Sequence, residues 1–123
     1  MIKLFRMNTG SCGACDAEIE AAVLLNRDLA WAGDPFEADV LLLTGPLLPQ
    51  AKLAFLAIWH KLRESVPLVA VGRCAIDGYP FGQGGLAANP EIVAALKVDG
   101  CPPDPGAIAA AVHEALTVGI PAS

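Results

Sequence analysis

A chain of 123 residues is one domain by length, and at this size it buries roughly two-thirds of the surface its unfolded form exposes, so it needs no disulfides to fold. Eight basic residues against thirteen acidic ones give a net charge of -5, and Lys52, Lys61, Arg63, Arg73 and Lys97 are scattered rather than massed, which argues against nucleic-acid binding. With 54% hydrophobic and only 17% charged residues the surface is poorer in charge than usual, and part of it is expected to lie under a partner.

Ile2 to Met7 alternates apolar and basic residues and ends at Asn8-Thr9-Gly10-Ser11, a first strand running into a polar turn. The pair Cys12-Gly13-Ala14-Cys15 follows at once. From Cys15 onward, Ile19, Ala22, Val23 and Leu25 or Asn26 recur at helical spacing, and Asp16, Glu18 and Glu20 sit in the first turns where the helix dipole favours acids. The first helix is therefore expected to begin at the pair. A short strand around Leu29 to Ala32 precedes Asp39 to Thr44, a continuous apolar run stopped by Gly45-Pro46, as in a strand covered on both faces.

Gln50 to Arg63 has the length and period of a second helix, and Pro67 to Gly72 reads as another buried strand, with Cys74 two residues beyond. After a glycine-rich loop from Gly78 to Gly85, a short helix is predicted from Pro90 to about Ala95. Leu96 to Asp99 reads as a last strand before Gly100-Cys101-Pro102-Pro103, and Ala107 to Leu116 closes the chain as a helix. Strand and helix alternate throughout, which points to an α/β fold with a doubly wound parallel sheet.

Ligands of such sheets gather outside the carboxyl ends of the strands, where strand order reverses. Cys12, Cys15, Cys74 and Cys101 each follow a predicted strand, so one sheet edge would gather four thiols that are far apart in sequence. Four thiolates suit a 4Fe-4S cluster or a zinc ion. Structural zinc sites usually take two short CxxC-like knuckles, whereas only one close pair stands here. A thioredoxin-like dithiol at a helix start is the lesser alternative, because the other two cysteines would then have no role. Cysteine is also often simply buried, but glycine before and proline after a strand-end cysteine predict exposed, conformationally special loops.

Asn8-Thr9-Gly10-Ser11-Cys12-Gly13-Ala14-Cys15-Asp16, Ala38 to Pro46, Val71-Gly72-Arg73-Cys74-Ala75 and Gly100-Cys101-Pro102-Pro103-Asp104-Pro105 resemble, in order and spacing, the twenty-kilodalton subunit family of respiratory NADH:quinone oxidoreductase. The CxxCD start is most similar to small subunits of membrane-bound, energy-converting nickel-iron hydrogenases. The resemblance implies a single three-layer flavodoxin-like domain over residues 1–123, holding one 4Fe-4S cluster on Cys12, Cys15, Cys74 and Cys101. It implies two partners: a large subunit like that of [NiFe]-hydrogenase or its counterpart in complex I, and a ferredoxin-like iron-sulfur subunit. Glu18 matches an acidic position that recurs after the pair, with an auxiliary role in proton movement or docking, or none beyond the helix dipole. The chain would thus be an electron-transfer subunit of an oxidoreductase complex, with no complete active site of its own.

Two other functions compete: a redox subunit of a related complex that lacks nickel or reduces quinone, and a non-redox module built on a four-cysteine zinc site. Asp16, as a negative charge beside Cys15, is expected to lower the potential of a cluster, unless it is a solvated helix-start aspartate. His60 and His113 lie away from the cysteines and read as surface or satisfied helix histidines. Gly82-Gln83-Gly84-Gly85 lacks the strand and helix of a nucleotide fingerprint, so no NAD, FMN or ATP site is expected. The longest apolar run, Leu53 to Trp59, is too short to span a membrane, and Arg6 interrupts any secretory signal. The expected location is cytoplasmic, with membrane attachment only through partner subunits.

Overall fold

The described strands, Ile2–Asn8 (β1), Leu29–Trp31 (β2), Val40–Thr44 (β3), Leu68–Val71 (β4) and Leu96–Val98 (β5), all pair in parallel, in the order β2-β1-β3-β4-β5. The computed structural model describes residues 1–10, 13–78, 84–100 and 102–119. Helices Ala14–Leu25 (α1), Pro49–Leu62 (α2), Arg73–Asp77 (α3) and Pro105–Val118 (α4) follow β1, β3, β4 and β5. This is the doubly wound sheet that the strand–helix alternation predicts, in the flavodoxin-like order that the resemblance implies, and it reverses direction between β1 and β3.

β3 and β4 are buried along their whole length. Their alternate side chains feed two separate cores: Val40, Leu42, Val69 and Val71 pack with Ile19 of α1 and Ile108 and Val112 of α4, while Leu41, Leu43, Leu68 and Ala70 pack with Phe55, Trp59 and Leu62 of α2. A two-residue period on a strand covered on both faces leaves no polar side, hence the unbroken apolar runs in the sequence. The result is three layers, helices on either side of one sheet.

The helix ends have local causes. Proline opens α2 and α4 at a position where the missing N–H costs nothing, and Asp104 caps α4 by accepting from the Ala107 N–H at 2.9 Å. Gly78, in the left-handed region at φ 90°, ends α3, its N–H donating to the Cys74 carbonyl at 3.0 Å.

Two expectations fail. No helix forms at Pro90 to Ala95: a 3-10 turn at Gly85–Ala88 comes first, the chain then bends through Ile92, and the Ala95 N–H already bonds Leu68 O at the start of β5. The buried Asn89 side chain stabilises this path by donating to Gly85 O at 2.7 Å, and so short a segment cannot nucleate a helix against that competition. The segment after Gly72, expected as an open loop, instead turns at once into α3. Of the predicted glycine-rich loop, residues 79–83 lie outside the described residues. Among the described residues, no helix is long and apolar enough to cross a membrane.

Candidate metal centre

At the carboxyl end of β4, Cys15, Gly72 and Gly100 meet. Gly72 adopts φ 94° and ψ 153°, a region open almost only to glycine, and so turns the chain sharply from β4 into α3. Its bare α-carbon receives the sulfur of Cys15 from α1, so closely that a Cβ at residue 72 would overlap that sulfur, and the same position stands 3.7 Å from Gly100 O. The Gly72 N–H donates to Val98 O at 2.8 Å and the Arg73 N–H to Gly100 O at 2.9 Å. Cys15, the backbone leading into Cys74, and the residue preceding Cys101 are thereby gathered at one sheet edge.

Cys15 and Cys74 are both the second residue of a helix, and both are buried, at 4% and 6% exposure. For Cys74 this corrects the expectation of an exposed cysteine loop. The Gly85–Ala88 turn covers α3 so closely that a Cβ at Gly85 would stand 2.8 Å from Cys74 O. Cys12 and Cys101 lie outside the described residues. Among the described residues no group of three or more His, Cys, Asp or Glu side chains could hold a metal ion, and two of the four cysteines fall outside that set. The donor chemistry nonetheless fits an iron-sulfur cluster: Cys15 and Cys74 are buried soft ligands, and the Cys15 sulfur lies against the bare α-carbon of residue 72, in a space that any side chain there would fill.

Asp16, beside Cys15, is no solvated helix-start aspartate. Its carboxylate, 16% exposed, accepts from Asn8 Nδ2 and from Thr44 Oγ1 at 2.9 Å, and lies 3.5 Å from Arg6 Nε. Arg6 and Asn8 belong to β1 and Thr44 to β3, so the start of α1 is tied to both strands at the point where the sheet reverses. On the opposite flank, Arg73 clasps Asp99 with Nε and Nη2 at 3.1 and 3.0 Å, and this hydrogen-bonded partner holds the Asp99 carboxyl below the usual carboxylate range. Neither set of partners was found by sequence reasoning. Acidic and basic residues flanking the cysteines were the available signal, but their pairing spans 26 residues for Arg73 and Asp99 and 28 for Asp16 and Thr44.

Glu18 is half-buried on α1, one turn beyond Cys15. His60 is exposed on α2 beside Trp59. His113 of α4 bonds Ala109 O at 2.9 Å and pairs with Asp28, whose carbonyl accepts from the Ile2 N–H at the amino end of β1. It therefore sits at the sheet edge opposite Cys15 and Cys74 and is a satisfied helix histidine, as expected. An open cleft of about 280 Å³ between Phe5, Arg6, Glu20, Trp31 and Ala32 lies over β1 and β2 and contains no described cysteine.

Comparison with known proteins agrees with this architecture. A family model described as NADH ubiquinone oxidoreductase, 20 Kd subunit, matches residues 11–115. An uncharacterized protein of Methanocaldococcus jannaschii is 38% identical over 109 residues, covering 83% of this chain and 74% of that protein. The probable membrane-bound hydrogenase subunit mbhJ of Pyrococcus furiosus is 33% identical over 113 residues, covering 85% of this chain and 68% of mbhJ. A chain in the crystal structure of the Ni-Fe-Se hydrogenase from Desulfomicrobium baculatum shares the fold, with a TM-score of 0.63 at 16% identity; the match covers 94% of this chain but only 62% of the hydrogenase chain. The family is one of oxidoreductase subunits. On the family match and these identities, the chain belongs to the NADH ubiquinone oxidoreductase 20 Kd subunit family.

Proposed function

We propose that residues 1–123 form a single iron-sulfur domain in which Cys12, Cys15, Cys74 and Cys101 hold one 4Fe-4S cluster. The observation that carries this reading is the seating of the Cys15 sulfur on Gly72, with Gly100 O beside it, because it draws together the segments that follow β1, β4 and β5, each of which carries a cysteine in the sequence. Such a cluster supplies one-electron uptake and release.

The chain's own residues provide the rest. Gly72 leaves the space into which the Cys15 thiol projects. Asp16, through Asn8, Thr44 and Arg6, fixes the start of α1 and with it the direction of Cys15. The turn over α3 and the burial of both described thiols keep water from the sulfur atoms. In this reading the chain is the electron-transfer small subunit of a hydrogenase-like or complex I-like oxidoreductase. It passes electrons between a large subunit, like that of [NiFe]-hydrogenase or its complex I counterpart, and a ferredoxin-like subunit, and reaches the cytoplasmic face of the membrane through such partners. Glu18 supplies an auxiliary acid one turn beyond Cys15.

Anaerobic purification with iron, sulfide and zinc analysis, and EPR of the reduced protein, tests the assignment against Cys101→Ser. About four irons and four sulfides per chain, with a paramagnetic signal altered or lost in the variant, is the expected result. One zinc without sulfide would replace the redox reading with a structural module.

A further inference from the structure

We propose that Arg73 and Asp99 act as a charge-paired latch that joins the two single-cysteine segments and positions the thiolate ligands they carry. This inference rests on the cluster reading above. Arg73 immediately precedes Cys74, and Asp99 stands two residues before Cys101. The guanidinium grips the carboxylate side-on, Nε to Oδ1 at 3.1 Å and Nη2 to Oδ2 at 3.0 Å, a fork geometry that a lysine ammonium cannot reproduce. Asp99 Oδ1 also accepts from its neighbour's backbone, the Gly100 N–H, at 2.8 Å. Beneath this clasp, two backbone bonds, Gly72 N–H to Val98 O and Arg73 N–H to Gly100 O, continue the β4–β5 ladder past the last paired strand residues, Val71 and Val98.

The side chains are 46% and 60% exposed, so as a general stabilising device the pair is weak. Its consequence is local. The clasp lies where the sheet ladder runs out, and it adds a side-chain tie to the two backbone bonds that hold Gly72 and Arg73 against Val98 and Gly100. The pair is also electrically neutral as a unit. Neutralising either partner changes the net charge beside the ligand set by one unit, and cluster potentials respond to nearby charge.

The test uses the full chain as wild type, Arg73→Gln, Asp99→Ala and Arg73→Lys. In the cluster-free chain, amide hydrogen exchange at Gly72 and Arg73 should run about two- to fivefold faster in Arg73→Gln and Asp99→Ala, the range expected for loss of an exposed ion pair. In the cluster-bearing chain the potential should fall in Arg73→Gln and rise in Asp99→Ala. Arg73→Lys should hold the wild-type potential while its exchange quickens, separating charge from fork geometry. Unchanged exchange in Arg73→Gln and Asp99→Ala, or potentials that stay put or move in the same direction, would overturn the latch. Should the wild type hold no iron, it is the cluster reading that fails, and amide exchange alone then decides whether the two segments are latched.

Discussion

The sulfur of Cys15 rests on the bare α-carbon of Gly72, in the place where any larger residue would begin its side chain. Gly72 also holds a φ of 94° that side chains rarely tolerate. Gly72→Ala should therefore lower the unfolding free energy of the cluster-free chain by about 1–3 kcal/mol, from backbone strain and overpacking together. Its iron content after anaerobic purification should fall well below that of the wild type. Gly119→Ala is the control: φ is 75° but nothing stands within 4 Å of the added methyl, so denaturation should shift while iron content does not.

Asp16 couples the cysteine-bearing helix to the sheet through Arg6, Asn8 and Thr44. Asp16→Ala leaves the Thr44 hydroxyl, on a fully buried residue, without that acceptor and should destabilise the chain by about 1–3 kcal/mol in urea titrations. Asp16→Asn keeps most of the hydrogen bonding but leaves Arg6 uncompensated. Its cluster potential, read by EPR-monitored redox titration, should rise relative to wild type, and a fall would show that the carboxylate does not act through its charge.

Thr9 is the polar bolt at the sheet's reversal point. Its hydroxyl donates to Thr44 O at 2.8 Å and accepts from the Leu47 N–H at 3.0 Å, with Thr9 only 1% exposed. Thr9→Val keeps the shape and strands the Leu47 N–H, whereas Thr44 O still accepts from the Thr9 backbone. A loss of about 1–3 kcal/mol is expected for the valine, and recovery of most of it in Thr9→Ser.

His113 and Asp28 tie α4 to the turn before β2, at the sheet edge opposite Cys15 and Cys74. The Asp28 hydrogen bond raises the His113 pKa above its ordinary value, and the same bond lowers that of Asp28. The histidine's contribution is complete below about pH 6.5, the ordinary value, and is lost as pH rises through the raised one. The aspartate's contribution is complete above about pH 3.9 and is lost as pH falls through the lowered value. The pair thus stabilises most in mildly acidic solution. Thermal melts should show the difference between wild type and His113→Gln shrinking from pH 6 to pH 9, with far-UV spectra alike. A constant difference would mean that the pair does not titrate in this range.

The strands and long helices were legible in the sequence because each rests on local chemistry: the apolar runs at Val40–Thr44 and Leu68–Val71, and the helical period and length of Gln50 to Arg63 and of Ala107 to Leu116. The short segments were not. Asn89 bends the chain through its bond to Gly85 O, and α3 forms between two glycines whose conformations suit its ends, neither of which a periodic pattern reveals.

By itself the sequence determined the parallel α/β alternation and the placement of cysteines after strand ends, because two-residue and 3.6-residue periods and turn residues are read over a few neighbouring positions. Only the tertiary structure decided that Cys15 seats on Gly72, that Asp16 is held by two strands, and that Arg73 finds Asp99. Those contacts join positions far apart along the chain, and they exist because the strand order makes neighbours of β1 and β3 and of β4 and β5, a spatial arrangement that no local pattern encodes.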